Sequence, residues 1–183
     1  MENLSCEIDQ CGSILTFEYQ KILTQFTGKY NARWKLIYKA TRDGFRATDF
    51  HYHCNDQSDT ISIIQSKNGY IFGGYASLPW NSANAFIKDT KAFIFTLKNP
   101  HSFLPTRYML KSGSEPNALY GGANYGPTFG GGHDIHVPDK SNETNGYTNF
   151  GSSYSDTTGK GQTTFSGNYN FQVSDIEVYK LYA

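Results

Sequence analysis

A chain of 183 residues and 20.5 kDa has room for one domain of ordinary size, not for two enzyme lobes. Sixteen basic and sixteen acidic residues cancel, so no long-range field draws the protein towards nucleic acid or an anionic membrane surface. The hydrophobic fraction is a modest 38% but aromatic residues reach 16%, and a chain this long buries about 70% of its unfolded surface without needing disulfides. No run of about 18 apolar residues is present. Met1 to Ser13 carries Glu2, Glu7 and Asp9 where a secretory leader would be basic and then apolar. The expectation is a cytoplasmic protein with no direct membrane insertion, residues 1–12 forming a polar lead-in and residues 13–183 a single domain.

In chain order, Leu15, Tyr19, Ile22, Leu23 and Phe26 make the apolar stripe of an amphipathic helix, with Ser13 or Thr16 as cap and Gly28 as stop. From Trp34 to Ala40 the pattern changes to period two, a strand, and a short helix is expected over Thr48 to Cys54. Thr60 to Ser66 and Tyr70 to Ala76 flank Asn68-Gly69, the dipeptide of a type I′ hairpin. Further strands are expected at Lys91 to Leu97, Thr106 to Lys111, Ala118 to Gly122, His133 to Val137, Thr148 to Ser152 and Phe171 to Leu181, with mostly loop between Asp139 and Asn170. The fold class is mainly β (α+β): two packed antiparallel sheets, a β-sandwich, with about two helices near the N-terminus.

Chemistry-bearing patterns are sparse. Cys6, Cys11 and Cys54 match no zinc or redox spacing and read as reduced thiols. His133 and His136 are three apart, which on a strand points them to opposite faces, and His51 and His53 are about 200° apart on a helix, so neither pair is expected to bind metal. His51 and His53 read as surface residues. Gly130-Gly131-Gly132 lacks a following helix and lysine, and Gly159-Lys160-Gly161 has Gly161 where a P-loop needs Ser or Thr. No GxSxG is present, and Cys54 with His51 and Asp43 is a triad only on paper. Asp43 and Glu177 lie in patterned segments and read as structural carboxylates, each bonded to backbone or to a basic group such as Arg42. No cofactor is expected.

The stretches Trp34 to Phe45, Asn68 to Tyr75 with Pro79-Trp80, Lys91 to Leu97, Gly126 to Ile135, Tyr147 to Tyr154 and Val173 to Tyr179 follow one another in order behind the Leu15 to Phe26 helix. Together they resemble the TLDc domain, shared by oxidation resistance proteins, certain nuclear receptor coactivators and some TBC proteins. The resemblance implies a sandwich of two antiparallel sheets with helices and a role in oxidative-stress resistance. For several members it also implies binding to the peripheral sector of the vacuolar-type proton ATPase, regulating its assembly; it brings no established catalytic mechanism. One departure is Arg46, where the family often has a capping Ser; Thr48 is then the nearest capping side chain. LysM and TBC regions are not in this sequence.

The expected function is therefore that of an interaction module, the alternative being a thiol-based antioxidant or hydrolase-like enzyme; carbohydrate binding would rest on architecture alone. Structural or partner-orienting candidates are Arg42, Asp43, Gly44, Gly69, Gly73, Gly74 and Glu177. Candidate interaction residues are Phe129, His133, Tyr147, Phe150 and Tyr154; of these Phe129, Tyr147 and Tyr154 sit in glycine-rich loops where strand periodicity does not force burial.

Overall fold

The N-terminal helix α1 runs from Phe17 to Thr27, with the Thr16 hydroxyl accepting from the Tyr19 N–H at 3.2 Å and Gly28 ending it by donating to the Thr24 carbonyl. The computed structural model describes residues 12–183, so the expectations for the lead-in, and for Cys6 and Cys11, lie outside the described residues except at Gly12. Strand β1 (Arg33–Lys39) leads into α2 (Ala40–Asp43) and α3 (Ala47–Cys54). Then come β2 (Thr60–Ser66), β3 (Ile71–Ala76), β4 (Ala85–Ile87), β5 (Phe93–Lys98), β6 (Thr106–Met109), β7 (Leu119–Gly121), β8 (Gly146–Tyr147), β9 (Asn170–Phe171) and β10 (Val173–Tyr182). Among the described residues no helix is long and apolar enough to cross a membrane.

The protein is mainly β, built on a six-stranded antiparallel sheet in the order β1-β10-β2-β3-β5-β6, with helices gathered towards the N-terminus. Side-chain alternation divides the apolar residues between its two faces. Ile61, Ile63, Tyr75, Phe93, Phe95, Tyr179 and Leu181 lie under α1 with Leu23. Ile64, Phe72, Ile94, Ile176 and Val178 lie on the opposite face, in the larger core with Phe50 of α3, Trp80 and Phe129. A bulge between Leu36 and Tyr38 shifts the β1–β10 register, and the bulged strand changes face: Trp34 joins the α1 side and Tyr38 the other.

The second layer is made of the two-stranded pairs β4-β7 and β8-β9, α3 and long loops. Its expected strands are shorter than periodicity implied, because backbone groups find other partners. Around residues 133–137, Phe129 bridges Ile135 while His136 bridges Tyr147, so the pairing alternates between neighbours and no continuous ladder forms. Residues 148–152 are not a strand. The buried Asp134 carboxylate takes the N–H groups of Gly151, Ser153 and Tyr154 at 2.9–3.2 Å, donors a strand would have used.

The β2–β3 hairpin forms where Asn68-Gly69 places it, with a different turn. Gly69 donates to the Ser66 carbonyl at 2.8 Å, Ser66 donates to the Tyr70 carbonyl, and Gly69 has φ 87° while Asn68 stays at negative φ. This is a three-residue loop with glycine in the left-handed position, not the type I′ pair. The Asn68 amide instead reaches across to the Ser166 carbonyl at 3.0 Å, tying the hairpin to the second layer.

Candidate functional site

Strand geometry assembles a charged network at the β1–β10 end of the sheet. Asp175 and Glu177 are two apart on β10 and share a face, and the register puts Lys39 opposite Glu177. Lys39 Nζ donates to Glu177 Oε1 at 2.8 Å and to Asp175 Oδ2. Burial alone would lower the lysine's pKa, but the hydrogen bonds to Asp175 and Glu177 hold it above its ordinary value. Asp175 also receives the Thr41 N–H and hydroxyl, both at 3.0 Å.

The remaining lone pairs of the fully buried Glu177 clamp the start of the chain: Ile14 N–H donates to Oε1 at 3.0 Å, Leu15 N–H to Oε2 at 3.1 Å and the Tyr179 hydroxyl to Oε2 at 3.0 Å. Gly12 N–H in turn donates to that hydroxyl at 2.8 Å. Both oxygens of the carboxylate are thus engaged, holding residues 12–15 to β10 and pairing with Lys39. Reasoning from sequence missed Lys39 and Asp175; the Asp-x-Glu pair on one strand face was the available signal.

Asp43 sits apart from this network. It accepts from the Lys39 N–H at 2.9 Å and from two Arg42 nitrogens at 2.8 Å, which overcome the opposing effect of burial and lower its pKa. The Tyr38 hydroxyl donates to the Gly44 carbonyl at 2.7 Å, fixing the turn between α2 and α3. At the start of α3 the missing Ser is replaced by two carboxylates rather than by Thr48. Asp49 accepts from the Arg46 N–H at 3.0 Å, and Asp139, from a distant loop, accepts from the Ala47 N–H at 2.8 Å.

His51 is buried, contrary to the surface position its spacing implied. Its Nδ1 lies 2.7 Å from Asn55 Oδ1, and its Nε2 lies 2.8 Å from the Gly122 carbonyl and 2.9 Å from that of Tyr125, so it pins α3 to the 122–125 loop. Cys54 is fully buried, and burial pushes its thiol pKa well up, the opposite of an activated thiolate.

Three of the candidate interaction residues are core. Phe129 and Tyr154 have no exposed surface and Phe150 has 6%. Phe129 packs edge-on against Trp80 at 5.5 Å and sits where a Gly74 Cβ would be, 2.5 Å from that position; glycine at 74 is what admits the ring. A Gly73 Cβ would likewise fall 1.9 Å from the Ser62 carbonyl oxygen. The Tyr154 hydroxyl donates to the Ala118 carbonyl at 2.7 Å. Glycine-rich composition concealed these positions: short loops with small neighbours let rings drop into the core without strand alternation.

His133 and Tyr147 do reach the surface, in an arrangement the sequence did not disclose. His133 has φ 59°, which breaks the strand and turns its ring parallel to that of His136, centroids 5.3 Å apart and planes at 15°. The two imidazoles therefore converge instead of diverging. His133 Nδ1 meets the Tyr147 hydroxyl at 2.8 Å. Ring contacts continue from half-exposed Phe86 to Tyr120 (5.0 Å), to His133 (5.4 Å), and through His136 to Tyr147 (4.5 Å) and Tyr169 (5.5 Å), with Tyr125 edge-on against His136 at 4.4 Å. Burial lowers the pKa of His133; burial, then the charge of His133, lower that of His136 to about 4, so the ladder is uncharged at neutral pH. Among the described residues no group of three or more His, Cys, Asp or Glu converges as a metal site would require.

A sheet with α1 on one face and a loop-rich aromatic layer on the other, both organised around internally satisfied carboxylates, is the architecture in which these residues sit. A family profile of the TLDc domain matches residues 8–182, and the chain belongs to the TLDc domain family. It is similar to the mTOR-associated protein MEAK7 of Mus musculus, 26% identical over 69 residues, which are 38% of this chain and 15% of the mouse protein. The MEAK7 proteins of Danio rerio (27% over 68 residues, 37% of this chain and 15% of that protein) and Xenopus laevis (28% over 65 residues, 36% and 14%) align similarly. The aligned stretch thus spans about 15% of these relatives' length.

Proposed function

We propose that this TLDc domain is a cytoplasmic protein-docking module that binds the peripheral sector of the vacuolar-type proton ATPase and regulates its assembly, and that protection against oxidative stress follows from that binding rather than from catalysis. The observation that carries the docking reading is the ladder from Phe86 through Tyr120, His133 and Tyr147 to Tyr169, a run of partly exposed rings with polar edges. Aromatic anchors of this kind supply large contact area at low side-chain entropy cost. The relatives named as mTOR-associated favour a protein partner in general terms. Burial of Cys54 and the structural bonds of Asp43 and Glu177 favour binding over a reaction at that thiol or acid–base chemistry at those carboxylates.

The test is co-sedimentation with the isolated peripheral sector, together with proton pumping in the presence of excess domain. Tyr147→Ala and Tyr169→Ala should each weaken the complex by about 1–3 kcal/mol if they are anchors. Absence of a complex with the unaltered domain, with pumping unaffected, would remove the ATPase as partner.

A further inference from the structure

We propose that a second docking site, in the other layer of the molecule, takes an acidic extended segment of a protein partner carrying an apolar side chain. A cleft of about 760 Å³ opens where the C-terminal end of α1 meets the ends of β3, β5 and β6. Behind it Tyr75 and Phe93, only 4% and 2% exposed, stack at 5.1 Å, and Phe26 meets Phe93 edge-on at 6.4 Å. Leu78 and Met109 at its rim stay 43% and 44% exposed, so apolar surface is available without rearrangement.

The charge of the cleft is one-sided in a chain whose total is zero. Lys29, Lys88, Lys91 and Arg107 line it against Asp59 and Asp89. Both carboxylates are already used: Asp59 holds Lys29 at 2.8 Å and the Tyr75 hydroxyl at 2.5 Å, and buried Asp89 accepts the N–H groups of Ser77, Leu78 and Lys91 and the Ser77 hydroxyl. Lys88, Lys91 and Arg107 have no carboxylate partner among the described residues. Arg107 is pre-positioned, its Nη1 donating to the Phe26 carbonyl and its guanidinium lying 5.5 Å from the Phe93 ring centroid. Cations beside exposed apolar side chains match a segment that alternates carboxylates with apolar side chains. A free phosphate would leave the exposed Leu78 and Met109 side chains without a partner.

The test uses the whole 183-residue chain and a short fluorescent peptide alternating glutamate with leucine and phenylalanine. Binding is expected. The exposed double charge reversal Lys88→Glu/Lys91→Glu should weaken it about tenfold at an unchanged melting temperature, and Leu78→Asp should weaken it separately. Any of four results would overturn the proposal: no binding, equal binding of the peptide with lysine in place of glutamate, undiminished binding by the double variant, or equal competition by inorganic phosphate or phosphatidylserine vesicles. The ATPase complex of the ladder variants is a separate measurement, so either reading can fail alone.

Discussion

Gly69 and Gly74 show how one residue type serves two different needs. Nothing lies within 4 Å of a Cβ at Gly69, so Gly69→Val suffers only from φ 87° and should cost about 1–2 kcal/mol in denaturant unfolding. Gly74→Ala instead drives a methyl into the Phe129 ring and should cost about 1–3 kcal/mol, while Phe129→Ala, which empties a fully buried site, should cost about 3–5 kcal/mol. The turn at Gly69 was legible because Asn-Gly is a local signal; the burial of Phe129 was not, because it depends on a glycine more than fifty residues away on β3. His136 contributes a pH dependence to stability. Its pKa is about 4 folded against 6.5 unfolded, so the unfolded chain binds the extra proton and stability is complete above about pH 6.5 and falls as pH drops towards 4. The loss is about 3 kcal/mol at most. Replacing it by His136→Phe, which keeps the ring and removes an Nδ1 that has no hydrogen-bond partner, should flatten the stability curve in that window. An identical slope in both proteins would contradict the desolvated imidazole.

At the scale of elements, α1 is joined to the sheet by two means that can be separated. Its apolar face packs on Ile61, Phe93 and Leu181 through Leu23 and Phe26, while Glu177 holds the preceding backbone at Ile14 and Leu15. Glu177→Gln retains one acceptor oxygen but loses the charge facing Lys39, so hydrogen exchange should accelerate at Ile14 and Leu15 before it does along β10. Lys39→Met is expected to be worse, by about 3–5 kcal/mol, because it leaves Asp175 and Glu177 close together and uncompensated. A Lys39→Met variant as stable as Glu177→Gln would mean that the network contributes little beyond packing. The helix and the central strands were readable from periodicity, since α1 is amphipathic and β2, β3 and β5 are bounded by turn residues. The second layer was not, because side chains such as Asp134 and Asn68 take or supply the hydrogen bonds that regular strands would use, and such long-range bonds leave no periodic trace.

Across the whole molecule, zero net charge conceals an uneven distribution with a measurable consequence. The ladder lies in the loop-rich layer and has neutral imidazoles at physiological pH; the cleft lies on the α1 side, where Lys88, Lys91 and Arg107 face no free carboxylate among the described residues. Exposed charges interact over a Debye length of about 8 Å at physiological ionic strength, so a complex made at the cleft loses much of its attraction as salt rises, whereas one made by rings loses little. Binding of the peripheral ATPase sector through the ladder should therefore change only modestly between low and physiological salt, while the acidic peptide should dissociate steeply over the same range. Lys88→Glu/Lys91→Glu should abolish the steep dependence and leave the shallow one intact; Tyr147→Ala should do the reverse, weakening the complex without altering its salt slope. A common slope for both ligands, moved by the same variant, would merge the two surfaces into one and refute their independence.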